Sequence, residues 1–266
     1  MLKMRFLFLS LLLCFANISF AQIYYAVHVQ GQIQFQNLKK NLGTGDKIDA
    51  TNLLNFKPNS WAILVGEKGN LFLQAPSNKD SIATCSKAIQ PIAGEKKQAN
   101  AIDYSQVDNL QAYFEGSQFV FIGNDFQLTL NPEFYVLSPQ LFLIYRYEYN
   151  ERHITIEIPY TKQTIFLNPA TLYTYKGEKI PPHKTINNSL YIFNAVDNIP
   201  YSAATLNPIW LSDEKVKNEF QALKKAYTLY GKNSEQMKQG YIQYITEVYG
   251  KTDEHFLSKW IDNQLK

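Results

Sequence analysis

The spacing of apolar and polar residues changes along the chain, and each change marks a different kind of segment. Between Tyr24 and Ala75 the apolar runs are short. Tyr25, Val27 and Val29 alternate with Ala26 and His28, Gly31 interrupts, and Ile33 and Phe35 resume the period of two expected of a half-buried strand. Leu42-Gly43-Thr44-Gly45-Asp46 reads as a turn and is followed by Ile48, Leu53-Leu54 and Phe56. Lys57-Pro58-Asn59-Ser60 then leads into Trp61-Ala62-Ile63-Leu64-Val65, and a turn from Gly66 to Asn70 into Leu71-Phe72-Leu73. Five short strands in about 50 residues predict a small all-β domain, barrel or sandwich, over 22–76.

Residues 77–112 are polar and small, with Ser77-Asn78-Lys79-Asp80-Ser81 and Ala93-Gly94-Glu95-Lys96-Lys97 among them, and read as a linker ending in a short helix near 105–114. From Gln118 the β signal returns. Gln118–Ile122, Phe126–Leu130, Phe134–Leu137, Leu141–Tyr149, His153–Ile158, Thr164–Leu167, Leu172–Tyr175 and Leu190–Phe193 are β-branched or aromatic runs bounded by Gly, Pro and Asn. They predict a β-sandwich-like domain over 113–207, with a hairpin turning at Asn150-Glu151-Arg152. After Pro208 the period lengthens to three or four. Ser212-Asp213, Ser234 and Thr252 are placed to cap three helices, with stripes such as Val216, Phe220, Leu223 and Tyr227, and Gly231 and Gly250 as stops. The expected fold is mainly β with a helical C-terminal segment over 208–266.

The first 21 residues carry a different pattern. Lys3 and Arg5 precede an apolar run from Phe6 to Phe15, and Ser19-Phe20-Ala21 ends in small residues at the cleavage positions, so 1–21 reads as a cleavable secretory signal peptide. The apolar run is about ten residues where a membrane span needs roughly 20. A lipoprotein reading would use Cys14, but Leu13 stands where a lipobox has a small residue. Removal of Lys3 and Arg5 takes the charge count from 26 Lys plus Arg against 23 Asp plus Glu to 24 against 23. A nearly neutral chain lacks the basic face of nucleic-acid binding. Its two remaining arginines, Arg146 and Arg152, leave little of the planar fork used for bidentate anion recognition. One cysteine, Cys85, remains after cleavage, so the exported chain is held by its core and not by a disulfide. The balance of features points to a bacterial periplasm or cell surface.

Val29-Gln30-Gly31 with Ile33, Leu42-Gly43-Thr44-Gly45-Asp46-Lys47-Ile48, Trp61–Val65 and Gly69–Leu73 together resemble the small SH3-like or FecR-like β modules of exported Bacteroidetes-type envelope proteins. The resemblance covers residues 24–75. It implies a non-catalytic β module and transfers no catalytic residue. The membrane span and cytoplasmic helix of the FecR family have no counterpart in the resemblance, so transmembrane signalling does not come with it.

Candidate chemistry is sparse. Cys85 has no recognisable nucleophile motif around it and reads as an incidental or intermolecular thiol in the linker. His28, His153, His183 and His255 are too far apart to place two ligands on one helix face, and no metal or cofactor is expected. Gly43-Thr44-Gly45-Asp46 lacks the glycine spacing and following helix of a phosphate-binding loop. Glu148, Glu151 and Glu157 are the acids a glycoside hydrolase would draw on. The compositional excess is aromatic, with 18 Tyr, 17 Phe and 3 Trp. Aromatics favour pleated surfaces and cross-strand pairs, and the same tyrosines can form a binding face. Tyr145, Tyr147, Tyr149, Tyr173 and Tyr175 are the candidate binding residues. The expected function is non-catalytic binding of an envelope protein or a cell-wall or glycan ligand, with a role in assembling an envelope complex. The alternative is a secreted hydrolase of glycans or peptides using carboxylates of the 118–200 region.

Overall fold

The computed structural model describes residues 22–92, 106–115 and 118–264. The expected signal peptide and residues 93–105 of the expected linker lie outside the described residues. The fold is mainly β with C-terminal helices, and the chain forms two compact units. Unit 1 holds the residues up to Ile92 together with Lys225–Tyr230, and unit 2 holds the rest.

Unit 1 contains β1 (Ile23–Gln30), β2 (Ile33–Phe35), β3 (Lys40–Asn41), β4 (Lys47–Asp49), β5 (Leu53–Phe56), β6 (Trp61–Gly66), β7 (Gly69–Gln74), β8 (Ser81–Thr84), the short helix α1 (Cys85–Ala88) and β9 (Ile89–Pro91). The strands form two antiparallel sheets, β4-β1-β6-β7-β9 and β3-β2-β5-β8. Period-two alternation turns Tyr24 and Ala26, Ile33 and Phe35, and Leu54 and Phe56 into one core. Gly31 sits at the β1–β2 turn with φ +76, and a Cβ there would lie 2.6 Å from Ser60 Oγ. That hydroxyl is taken up in accepting the Gln32 N–H at 2.9 Å, so the turn admits only glycine.

Residues 81–91, expected in the linker, are strand and helix of unit 1. Leu54 faces Ala83 across the β5–β8 ladder, while Ile82 points out and is exposed. The signal is faint because the inward positions, Ala83, Cys85 and Ala88, are small. Cys85 is fully buried in this core, which corrects its reading as an intermolecular thiol. A thiol at a helix start is usually acidified. Here burial wins and, with Asp49 adding repulsion, pushes the Cys85 thiol up to about 12. Cys85 is expected to stay unmodified by iodoacetamide at pH 8 in the folded protein and to react fully once the chain is unfolded in guanidinium, as read by intact mass.

Unit 2 opens with α2 (Leu110–Phe114), β10 (Phe119–Ile122) and β11 (Phe126–Thr129). Then come β12 (Leu141–Tyr149), β13 (Arg152–Glu157), β14 (Tyr160–Thr161), β15 (Thr164–Leu167), α3 (Pro169–Leu172), β16 (Thr174–Tyr175) and β17 (Glu178–Lys179). A 3-10 turn (Pro182–Lys184) leads into β18 (Ile186–Asn194), β19 (Ile199–Thr205) and β20 (Pro208–Leu211). Next come α4 (Asp213–Leu229), whose residues from Lys225 on belong to unit 1, α5 (Ser234–Val248), β21 (Lys251–Thr252) and α6 (Glu254–Gln264). The principal sheet is antiparallel, β13-β12-β18-β19. Its predicted hairpin forms a two-residue turn, with Asn150 and Glu151 both left-handed at φ 48 and 62 between the paired Tyr149 and Arg152. A second sheet, β20-β10-β21, is parallel throughout. All four residues of β10 are buried, as a strand covered on both faces requires.

Several sequence expectations shift. Phe134–Leu137 is an unpaired loop, because the Asn131 carbonyl takes the N–H groups of Phe134 and Tyr135 and winds the chain into a turn. Leu172–Tyr175 is split between α3 and β16, because Asn168 caps Ala170 and Pro169 starts a helical turn. Residues 208–211, expected at the head of the helical segment, are β20. α4 begins as predicted, with Ser212 Oγ accepting the Lys215 N–H. The second cap is Asn233, paired reciprocally with Gln236, and not Ser234. Asp253 accepts the Phe256 N–H at the start of α6, while Thr252 belongs to β21 and donates to Val120 O.

Candidate functional site

Three of the five candidate tyrosines are core residues. Tyr145, Tyr147 and Tyr173 are 1–3% exposed, which corrects their reading as a binding face; Tyr149 and Tyr175 are half-buried and pack against the same core. The alternation in β12 is as expected, but the face it selects points inward. Once buried, each hydroxyl needs a partner. Tyr145 Oη lies 2.7 Å from Tyr173 Oη and donates to Asn188 Oδ1 at 2.7 Å. Trp210 Nε1 donates to Tyr173 Oη at 3.2 Å, and Thr185 Oγ1 to Asn188 Oδ1 at 3.0 Å. Strands β12 and β18, the 3-10 turn and β20 are thereby tied through one polar cluster. The Tyr147 hydroxyl is buried with no hydrogen-bond partner among the described residues.

The opposite face of β12 carries Phe142, Ile144, Arg146 and Glu148. Arg146 lies over the Tyr191 ring, 4.9 Å from its centroid. Glu148 faces the exposed His153 across the strands, 3.3 Å between Oε1 and Nδ1. Glu157 pairs with Ile144, four residues along β12 from Glu148. At about 3.3 Å per residue the two acids stand roughly 13 Å apart along the sheet, beyond the 5–9.5 Å or so that separates paired glycosidase carboxylates. Glu151 is in the hairpin turn. The acids named for hydrolysis therefore do not converge.

Among the described residues no group of three or more His, Cys, Asp or Glu is placed to hold a metal ion, and no helix is long and apolar enough to cross a membrane.

A groove of about 330 Å³ opens on unit 1 instead, beside the β2–β3 connection. Phe35 and Leu53 line its apolar wall, and Leu38, 70% exposed, stands at its rim. Polar groups ring this wall. Lys40 Nζ contacts Asp46 Oδ1 at 2.7 Å, and Asp46 Oδ2 accepts the Gly43 N–H at 2.8 Å, so that carboxylate is fully engaged. Asn52 Oδ1 accepts the Asp49 N–H at 2.9 Å, which leaves its amide hydrogens directed elsewhere. Lys47 and Asp49 line the groove and make no ion pair among the described residues. An apolar wall bordered by an ammonium, a carboxylate and carboxamides presents both donors and acceptors. It suits the amide or hydroxyl groups of a peptide or glycan better than a bare anion, since one of its two lysines is neutralised by Asp46. In the sequence, Gly43–Asp46 reads only as a turn. The visible signal is the run of Asn, Lys and Asp from Asn37 to Asn52 that surrounds the two buried residues Leu42 and Ile48.

Comparison with protein-family models, with curated proteins and with solved structures finds no match for this chain.

The tyrosine cluster makes two predictions. Tyr145→Phe leaves Asn188 and Tyr173 short of a buried partner and is expected to lower stability by about 1–3 kcal/mol, whereas Tyr147→Phe removes an unpaired buried hydroxyl and is expected to be neutral or stabilising; urea unfolding midpoints separate the two. Alkali supplies the second. Burial, with repulsion from neighbouring tyrosines, holds the Tyr145 hydroxyl well above its usual range and pushes Tyr147 up to about 12. A pKa raised in the folded state means the folded protein keeps a proton that the unfolded chain releases. Stability should therefore hold below the ordinary tyrosine pKa of about 10 and fall as pH rises toward about 12. Thermal midpoints measured across that range, with tyrosinate absorbance rising together with unfolding, test it.

Proposed function

We propose that this chain is a non-catalytic exported envelope protein that acts by binding a protein or a cell-wall glycan, in the assembly of an envelope complex at the periplasm or cell surface. The observation that carries the binding reading is the unit 1 groove, where the Phe35–Leu53 wall is bordered by Lys47, Asp49 and Asn52. Export is supported by the tripartite pattern of residues 1–21. The envelope setting is supported by the resemblance of residues 24–75 to SH3-like or FecR-like modules, the same segment that forms the groove.

A photo-reactive residue at position Leu38, carried by the full chain in producing cells, is expected to give adducts with an envelope protein or with wall glycan in the periplasmic or surface fraction. Lys47→Glu combined with Asn52→Ala is expected to cut the adduct yield about tenfold, as loss of one or two hydrogen bonds of about 1 kcal/mol each implies. Recovery of the chain only from the cytoplasm, or an adduct yield indifferent to those substitutions, would falsify the reading.

A further inference from the structure

One end of the β13-β12-β18-β19 sheet in unit 2 is short of charge. Between Phe126 and Tyr145 the only charged residue is Glu133, and between Ile186 and Leu211 the only one is Asp197. These segments form the first half of β12, the loop before it, and the β18–β19 hairpin. They meet in register, with Leu141 opposite Asn194, Phe142 opposite Phe193, and the Ala195 N–H donating to Gln140 O at 2.8 Å. Large apolar side chains stand in solvent there: Val196 at 75%, Ile199 at 45% and Tyr201 at 51%, with Phe134 and Val136 exposed on the adjoining loop.

The exposure of Val196 does not come from a loose tip. Asn194 Oδ1 accepts the Val196 N–H at 3.0 Å, and Asn194 Nδ2 donates to Asp197 Oδ2 at 2.8 Å. The apolar group is held out by a braced turn, so little ordering remains for a partner to impose. β19 is the last strand of its sheet. Helix α2 meets it at the far end, where Gln111 Oε1 accepts the Thr205 N–H. At the near end Pro200 removes an N–H and blunts the edge against strand addition. Side chains and not backbone groups therefore make this surface.

Charge depletion around exposed aliphatic and aromatic groups is the composition of an interface centre. The two charges these segments retain are acids, both exposed, and Glu157, exposed on β13 opposite Ile144, adds a third acid at this end of the sheet. A membrane surface of anionic lipid calls for lysine or arginine around the apolar group, and these segments supply none. We infer that this end of the sheet, with Val196, Ile199 and Tyr201 at its centre and Glu133 and Asp197 at its rim, is a docking surface for an envelope protein whose matching patch is apolar and rimmed by lysine or arginine. The inference rests on the binding role proposed above and places a second contact on unit 2.

Photo-reactive residues placed separately at Val196 and Tyr201 in the full chain, in intact producing cells, test it against the Leu38 probe. The expected result is one protein captured from both positions, with the cross-linked peptide apolar and bordered by Lys or Arg. Ile199→Lys should reduce that capture about tenfold or more, as for a residue at an interface centre. Glu133→Lys should weaken it in low salt and much less in high salt. Both positions are exposed, and an unchanged thermal midpoint for each variant separates lost docking from lost folding. Adducts with lipid, adducts with a second copy of this chain, or capture indifferent to Ile199→Lys would each overturn the docking surface. Adducts at Leu38 without any at Val196 and Tyr201 would overturn it and leave the envelope-binding role standing. Failure at all three positions would remove both.

Discussion

A tyrosine hydroxyl taken out of water has to be given a partner, and in unit 2 that requirement organises the sheet. Strand β12 turns Tyr145 and Tyr147 inward. Tyr145 reaches Asn188 on β18 and Tyr173 just after α3, and Tyr173 in turn takes the Trp210 N–H from β20. Elements that are distant in sequence are held to one register by a few short hydrogen bonds, inside a core where a missed bond costs about 1–3 kcal/mol. The helices repeat the device. Glu219 on α4 is buried and accepts from Tyr244 Oη at 3.0 Å and Tyr249 Oη at 2.7 Å. Asp213 accepts the Trp260 indole N–H at 2.8 Å, and Asp253 caps α6 while taking the Tyr113 hydroxyl. The aromatic excess of this chain is spent largely on its interior, where rings fill volume and their polar tips fix geometry.

Where periodicity was strong, the sequence foretold the structure. Strands β1, β2, β5, β6 and β7, the β12–β13 hairpin, and all three C-terminal helices fall where the apolar spacing placed them. The failures have specific causes. β8 and α1 bury only Ala and Cys, which carry little hydropathy contrast. β19 alternates Ile, Tyr and Ala with Pro and Ser at a sheet edge, where half of each face is wet and no clean pattern survives. β20 and β21 are four and two residues long, and a short parallel strand is defined by its neighbour more than by its own residues.

The candidate sites were less legible than the fold. Period two identified Tyr145, Tyr147 and Tyr149 as sharing a face, but alternation alone does not say which face meets the core. Three-dimensional placement settled this, and with it the position of the other face, where Arg146 covers Tyr191. The groove on unit 1 was hidden for another reason. Its lining comes from four short strands, β2, β3, β4 and β5, and from the loops between them, and its polar residues individually look like ordinary surface. The charge-poor end of the sheet is joined from segments some fifty residues apart, each unremarked alone because a stretch without charges reads simply as core.

β10 occupies the middle of its parallel sheet, between a strand at 208–211 and another at 251–252. Seen in the order of synthesis, this is a waiting arrangement. Phe119 and Val120 emerge early, yet their second partner is Lys251-Thr252, more than a hundred residues later. Until that segment is made, one side of a fully apolar strand has no ladder to join. Loop closure over such a separation is slow compared with hairpin formation. The β12–β13 hairpin can form almost as soon as it emerges, while the parallel sheet is completed last. Unit 2 is thus a structure in which the first hydrophobic strand made is among the last to be enclosed.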